Sequence, residues 1–140
     1  RPQPGDWLKI ELNSCLIIIL VGASMNKLSS LELLKKEGYV ITLQKKEFVL
    51  YAGLLWLAKT KGLESIKTEL IHTDPQKTWF FFKAIAEGKE GTYEGHGDAA
   101  PFNVGKLVKP SVFRMAETRA KARALRDYCG VGMCSFEELS

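Results

Sequence analysis

The stretch RMAETRAKARALR, residues 114–126, constrains this chain more than any other. Five cations stand against one anion, yet four alanines and a leucine make it a strong helix former. Pro110 stands where a helix can open and Gly130 where one can close, so the sequence predicts one long basic helix from about Pro110 to Tyr128. At 100° per residue, Arg119, Arg123 and Arg126 fall within roughly 60° of arc, with Arg114 and Lys121 on the opposite side. Two apolar strips separate these basic edges, one of Phe113, Ala120 and Ala124, the other of Met115, Thr118, Ala122, Leu125 and Cys129. Such a helix can pack on two sides and still show an arginine stripe. An ordinary solvated helix face is the plain alternative. It normally mixes signs at i,i+4, and only Glu117–Lys121 offers such a pair here.

Charge along the chain points the same way. Residues 106–126 hold seven cations (Lys106, Lys109, Arg114, Arg119, Lys121, Arg123, Arg126) against Glu117. That local excess of six exceeds the whole chain's +4, so the remainder is net −2. A concentrated excess suits a polyanion partner better than a generally basic surface would.

The 140 residues suggest one domain, and 46% apolar content is enough for a core at this length. Cys15, Cys129 and Cys134 are an odd, sparse set. That argues against a secreted disulfide scaffold and for a reducing, cytoplasmic location. The apolar run CLIIILV, 15–21, falls far short of the roughly 20 residues that span a bilayer, so no membrane association is expected. It could serve a signal peptide, but Asp6 and Glu11 stand where the positive region should be. Met25 is a plausible natural start, which makes residues 1–24 a leader or an extra strand and 25–140 the domain.

Between these landmarks the pattern predicts a helix over 28–36 with Ser30 as N-cap, a strand over 39–43, a polar turn at 44–47 and a short strand or helix entry at 48–50. A helix follows over 51–61, ended by Gly62. Next come strands at 66–72, 78–86 and 92–97, joined by TDPQ (73–76) and the loop EGKEG (87–91), then an irregular connection over 98–106. This is α+β architecture: an antiparallel meander of three to five strands, helices on one face and the basic helix last. Trp79, Phe80, Phe81, Phe82 and Tyr93 can stack nucleobases, but the sheet must bury one face, so most are expected in the core. Tyr93 and Lys83 are the expected exposed candidates.

The runs GHGDAAPFNVGK (95–106), RMAET (114–118) and KARALRDYCGVG (121–132) resemble the Rad-fifty-two-type single-strand annealing proteins, especially bacterial and phage members. The order of elements is similar over about residues 39–134, most specifically in the last third, and residues 1–38 lie outside it. The resemblance implies single-stranded DNA binding and annealing in recombination and double-strand break repair, by ring- or filament-like homo-oligomers. It implies no catalytic residue and no cofactor, with a recombinase or single-strand-binding protein as a further partner. By position, Arg123 and Arg126 match cations that line the family's DNA groove, and Lys121 or Ala122 falls where another cation is common. The family's basic residue at the hairpin before the first long helix is Glu47 here, with Lys45 and Lys46 just before it and Lys46 as the substitute. The expected DNA-binding set is therefore Arg123, Arg126, Lys121, Arg119, Arg114, Lys106, Lys109, Lys45, Lys46, Lys83 and Tyr93.

Other constellations carry less. Asp74, Glu87 and Lys89 imitate a magnesium-dependent nuclease, in which two carboxylates hold the metal and the lysine positions water. That is the alternative activity, and an oligomeric module contacting an acidic protein is a third reading. Cys129 and Cys134 with His72 or His96 are a weak zinc set, since no second cysteine pair exists. GKL, 105–107, lacks the residues of a phosphate-binding loop.

Overall fold

Ser29 opens the first helix with a capping box. Its hydroxyl accepts from the Glu32 amide at 3.2 Å, and Glu32 accepts from the Ser29 amide at 2.8 Å. The computed structural model describes residues 28–106 and 111–139. Helix α1 spans Ser30–Lys36, so the N-cap is one residue earlier than the sequence predicts. Ser30 instead donates its hydroxyl to the Cys129 carbonyl at 3.1 Å, tying α1 to the end of the basic helix. The expectations for residues 1–24, for Lys109 and for a helix start at Pro110 lie outside the described residues.

After Gly38, strands β1 (Val40–Leu43) and β2 (Lys46–Val49) form a two-stranded antiparallel sheet. Their turn is Gln44–Lys45 alone, both at positive φ (48° and 64°), as a two-residue hairpin requires. The predicted four-residue turn is thus too long, and Lys46 is a strand residue. Helix α2 (Tyr51–Thr60) follows, and Gly62 at φ 82° redirects the chain.

Strands β3 (Leu63–Thr73), β4 (Phe80–Gly88) and β5 (Gly91–Ala99) form a separate antiparallel meander in the order β3-β4-β5. The expected meander is there, longer than the sequence predicts, and the molecule is α+β. Helix α3 (Val112–Cys129) lies across β4 and β5 and ends at Gly130 in the left-handed conformation. Gly95 and Gly97 are the reason it can lie so close. A Cβ on Gly97 would overlap the Ala120 amide and meet the Ala116 carbonyl at 2.7 Å, and one on Gly95 would overlap the Ala124 amide. Alanines on the helix and glycines on the strand bring two backbones together where larger side chains would hold them apart.

Both apolar strips of α3 pack against the rest of the molecule through their alanines, Leu125 and Cys129, while Phe113 stays exposed and meets Phe80 and Phe82 edge-on. Ala120 and Ala124 face β5, while Ala122, Leu125 and Cys129 are buried with Leu54, Leu57 and Ala58 of α2. Alternation in β4 puts Phe82, Ala84 and Ala86 on the helix side, leaving Phe81, Lys83 and Ile85 only half-buried on the other. Beyond α3 the chain turns back. Ser135 bridges Val49 in parallel, and Phe136–Glu138 forms a 3-10 turn against α3. No helix among the described residues is long and apolar enough to cross a membrane.

Candidate nucleic-acid interface

The three arginines that share a stripe in the sequence have three different environments. Arg119 is 4% exposed. Its guanidinium donates to the carbonyls of Asp98 (2.9 Å), Asn103 (2.8 Å), Glu137 (3.2 Å) and Leu139 (2.8 Å), and to Asn103 Oδ1 (3.2 Å). Burial lowers its pKa from the ordinary guanidinium value, while the nearby Asp98 opposes that shift. With its donors committed to the loop after β5 and the C-terminal segment, Arg119 pins those two segments to α3. Its expected place in a DNA groove is corrected: no face of it is free.

Arg123 and Arg126 stay at the surface, with side chains 41% and 24% exposed, and both converge on Glu138. Arg123 Nε donates to Glu138 Oε1 at 3.1 Å, and Arg126 donates to the two oxygens at 2.8 and 3.0 Å. The Ser135 amide adds a bond to Glu138 Oε2 at 2.8 Å. The Glu138 side chain is only 4% exposed. Burial pushes its pKa up, but the Ser135 amide and the two guanidiniums outweigh that and hold it below the usual carboxylate range. Arg123 Nη1 donates to the His96 carbonyl on β5 at 2.7 Å. Beside the pair an open cleft of about 360 Å³ is lined by Glu94, Gly95, His96, Arg123, Arg126 and Asp127.

The other predicted residues do not join this cluster. Lys121 pairs with Glu117 at 3.5 Å, and Thr68 also donates to Glu117, on the side of α3 toward β3. Arg114 is exposed. Lys106 is exposed after β5, and Lys45 and Lys46 are exposed at the β1–β2 hairpin. Lys83 lies on the open sheet face, 3.9 Å from Glu69. Tyr93 is corrected as an exposed stacking candidate, because it packs edge-on against Tyr128 on the helix side, ring centroids 5.9 Å apart. The half-exposed rings of the open face are instead Trp79 and Phe81.

The nuclease set is dispersed. Asp74 sits beyond the end of β3, its carboxylate accepting from the Thr78 hydroxyl and from the Thr78 and Trp79 amides. Glu87 lies toward the far end of β4, seven residues past Phe80, roughly 23 Å along a strand. Among the described residues no group of three or more His, Cys, Asp or Glu is placed to hold a metal. Cys129 and Cys134 are free thiols, and burial pushes Cys129 up to about 12, so it stays protonated.

Glu138, His96, Glu94 and Asp127 are site residues that the sequence reading misses. One signal was present: the acidic pair Glu137–Glu138 follows a basic helix after a short glycine-containing stretch, close enough to fold back onto it.

No protein-family model matches the chain, and neither the curated proteins nor the solved structures contain a match to it.

Proposed function

We propose that this chain is a non-enzymatic single-stranded DNA-binding and annealing protein of recombination and repair, working in the cytoplasm as a homo-oligomer and without a cofactor. The observation that carries the reading is the convergence of Arg123 and Arg126 on one carboxylate beside an open cleft. Two guanidiniums, each reaching the Glu138 carboxylate through one nitrogen, can take phosphate oxygens as well. They stand in the run KARALR, whose resemblance to annealing proteins is specific at those two positions. The acids Glu94, Asp127 and Glu138 outnumber the two arginines, so the cleft carries no net positive charge. Binding should therefore be moderate and readily reversed, which suits a protein that must release paired strands.

The test is a gel shift of the full chain with single- and double-stranded DNA, with and without Mg²⁺, followed by annealing of complementary oligonucleotides. Preferential single-strand binding, faster annealing and no cleavage are expected, with affinity falling steeply with salt. Mg²⁺-dependent cutting, or no binding at low salt, overturns the proposal. Light scattering should show a complex of many subunits.

A further inference from the structure

The arginine cleft meets the uncovered face of the sheet at His96. On the sheet face that α3 leaves uncovered, His72, Trp79, Phe81 and His96 stand in a row, with successive ring centroids 5.3, 6.2 and 5.7 Å apart. Trp79 and Phe81 are stacked within 14°, and Phe81 and His96 within 12°. His96 belongs to both features. Its ring ends the row, its carbonyl accepts from Arg123, and it lines the cleft. The fold does not bury this row, because the opposite parity of β4 supplies the core through Phe82, Ala84 and Ala86.

Charge around the row is arranged compatibly. Lys83 is paired in register with His96. Asp98 is engaged by Asn103 at 3.1 Å, and Asp74 is spent on its own turn. Glu87 lies toward the other end of the face, while Glu94 stands next to His96 and lines the cleft with the arginines. Cations thus stand at the strand edge and flat rings on the adjoining face. An acidic protein would satisfy the arginines but has no use for the near-parallel rings of Trp79, Phe81 and His96, whereas a single nucleic-acid strand satisfies both.

We propose that this row is a nucleobase platform. A single strand runs along the β5 edge with phosphates on Arg123 and Arg126 and bases stacked over His96, Phe81 and Trp79. Stacking uses the face of a base and leaves its pairing edge outward, which annealing requires. The platform rests on the single-strand reading above and adds to it a preference for bases over bare phosphates.

Two fluorescein-labelled oligomers of equal length, oligo-dT and an abasic phosphodiester, test it by anisotropy on the full chain. Oligo-dT should bind at least about tenfold tighter than the abasic oligomer. Phe81→Leu keeps bulk but loses the ring. It should bring oligo-dT toward the abasic affinity while leaving abasic binding unchanged. Independently of any variant's folding, oligo-dT and not the abasic oligomer should quench tryptophan fluorescence in the wild-type chain, and Trp79→Phe should remove that quenching. Equal affinity for the two oligomers overturns the platform alone. Failure of both to bind overturns the platform together with the single-strand reading.

Discussion

Arg126 holds both carboxylate oxygens of Glu138, at 2.8 and 3.0 Å, so the chain's own C-terminal segment occupies the anion position that a phosphate would take. A strand binding there must displace this carboxylate or share the arginines with it. Glu138→Gln removes the competing charge while keeping most of the shape. Single-strand affinity at low salt should rise, by about three- to tenfold, and the salt dependence should steepen. Anisotropy across a salt series measures both. The same variant should lose about 1–3 kcal/mol of stability, because charge-assisted bonds become neutral ones. Unchanged affinity would mean that the strand does not use these two arginines.

Acid should weaken the same contact. Glu138 has a folded pKa below its ordinary value of 4.5, so its contribution to stability is fully present above that value and is lost as pH falls toward the folded one. Melting temperature should be flat from pH 7 to about pH 5 and then drop. Glu138→Gln should show a shallower drop, since it has no proton to take up there. Parallel acid limbs for the two proteins would show that other carboxylates carry the transition.

The close approach of α3 to β5 leaves no room for a side chain at Gly97. Gly97→Ala puts a methyl into the Ala120 amide and the Ala116 carbonyl, backbone atoms that no rotamer change can move. The cost should reach about 3 kcal/mol, the upper end for an overpacked core. Gly105→Ala meets nothing within 4 Å and should cost far less. Chemical denaturation of both variants makes the comparison.

Some of this was legible and some was not, for physical reasons. The two-sided packing of α3 follows from its wheel, since alanines and leucine leave two apolar strips whatever surrounds them. Gly95 and Gly97, at i and i+2, mark the strand face that a helix can approach. Because Tyr93 shares that parity, its packing against Tyr128 on the helix side could have been read from the same spacing. Gln44–Lys45 carries no such mark, because neither is the Gly or Asn that a turn with two positive φ angles usually selects. Separating Arg119 from Arg123 and Arg126 needed Asn103 and residues 137–139. The acidic pair Glu137–Glu138 hinted at a return to α3, but which arginine Asn103 and the backbone of 137–139 engage is set by tertiary packing.

The hairpin turn also tests one predicted contact. Gln44→Asn with Lys45→Gly relieves two strained positions and should stabilise the β1–β2 pair by about 1 kcal/mol. If Lys45 touches the strand, single-strand affinity falls even though the protein is more stable. If only Arg123 and Arg126 hold it, affinity is unchanged. Melting temperature and anisotropy on one variant separate the two.

Arg119 and the outer arginines should fail differently when replaced. Arg119→Ala strands five oxygen acceptors, and the loop at 100–106 and the segment at 137–139 lose their common tie. A loss of about 3–5 kcal/mol is expected. Arg119→Lys should rescue little of it, because three donors on a point charge cannot span five acceptors fixed in a fork. Removing Arg123 and Arg126 alone would leave Glu138 buried and unpaired, confusing folding with binding. The clean variant is Arg123→Gln with Arg126→Gln and Glu138→Gln, which removes two cations and the anion they share. It should retain a cooperative melt and lose at least about tenfold in single-strand affinity, with a salt slope smaller by about one to two counterions. Circular dichroism and anisotropy distinguish the two classes. A folded triple variant that still binds like wild type would remove the arginine pair from the interface.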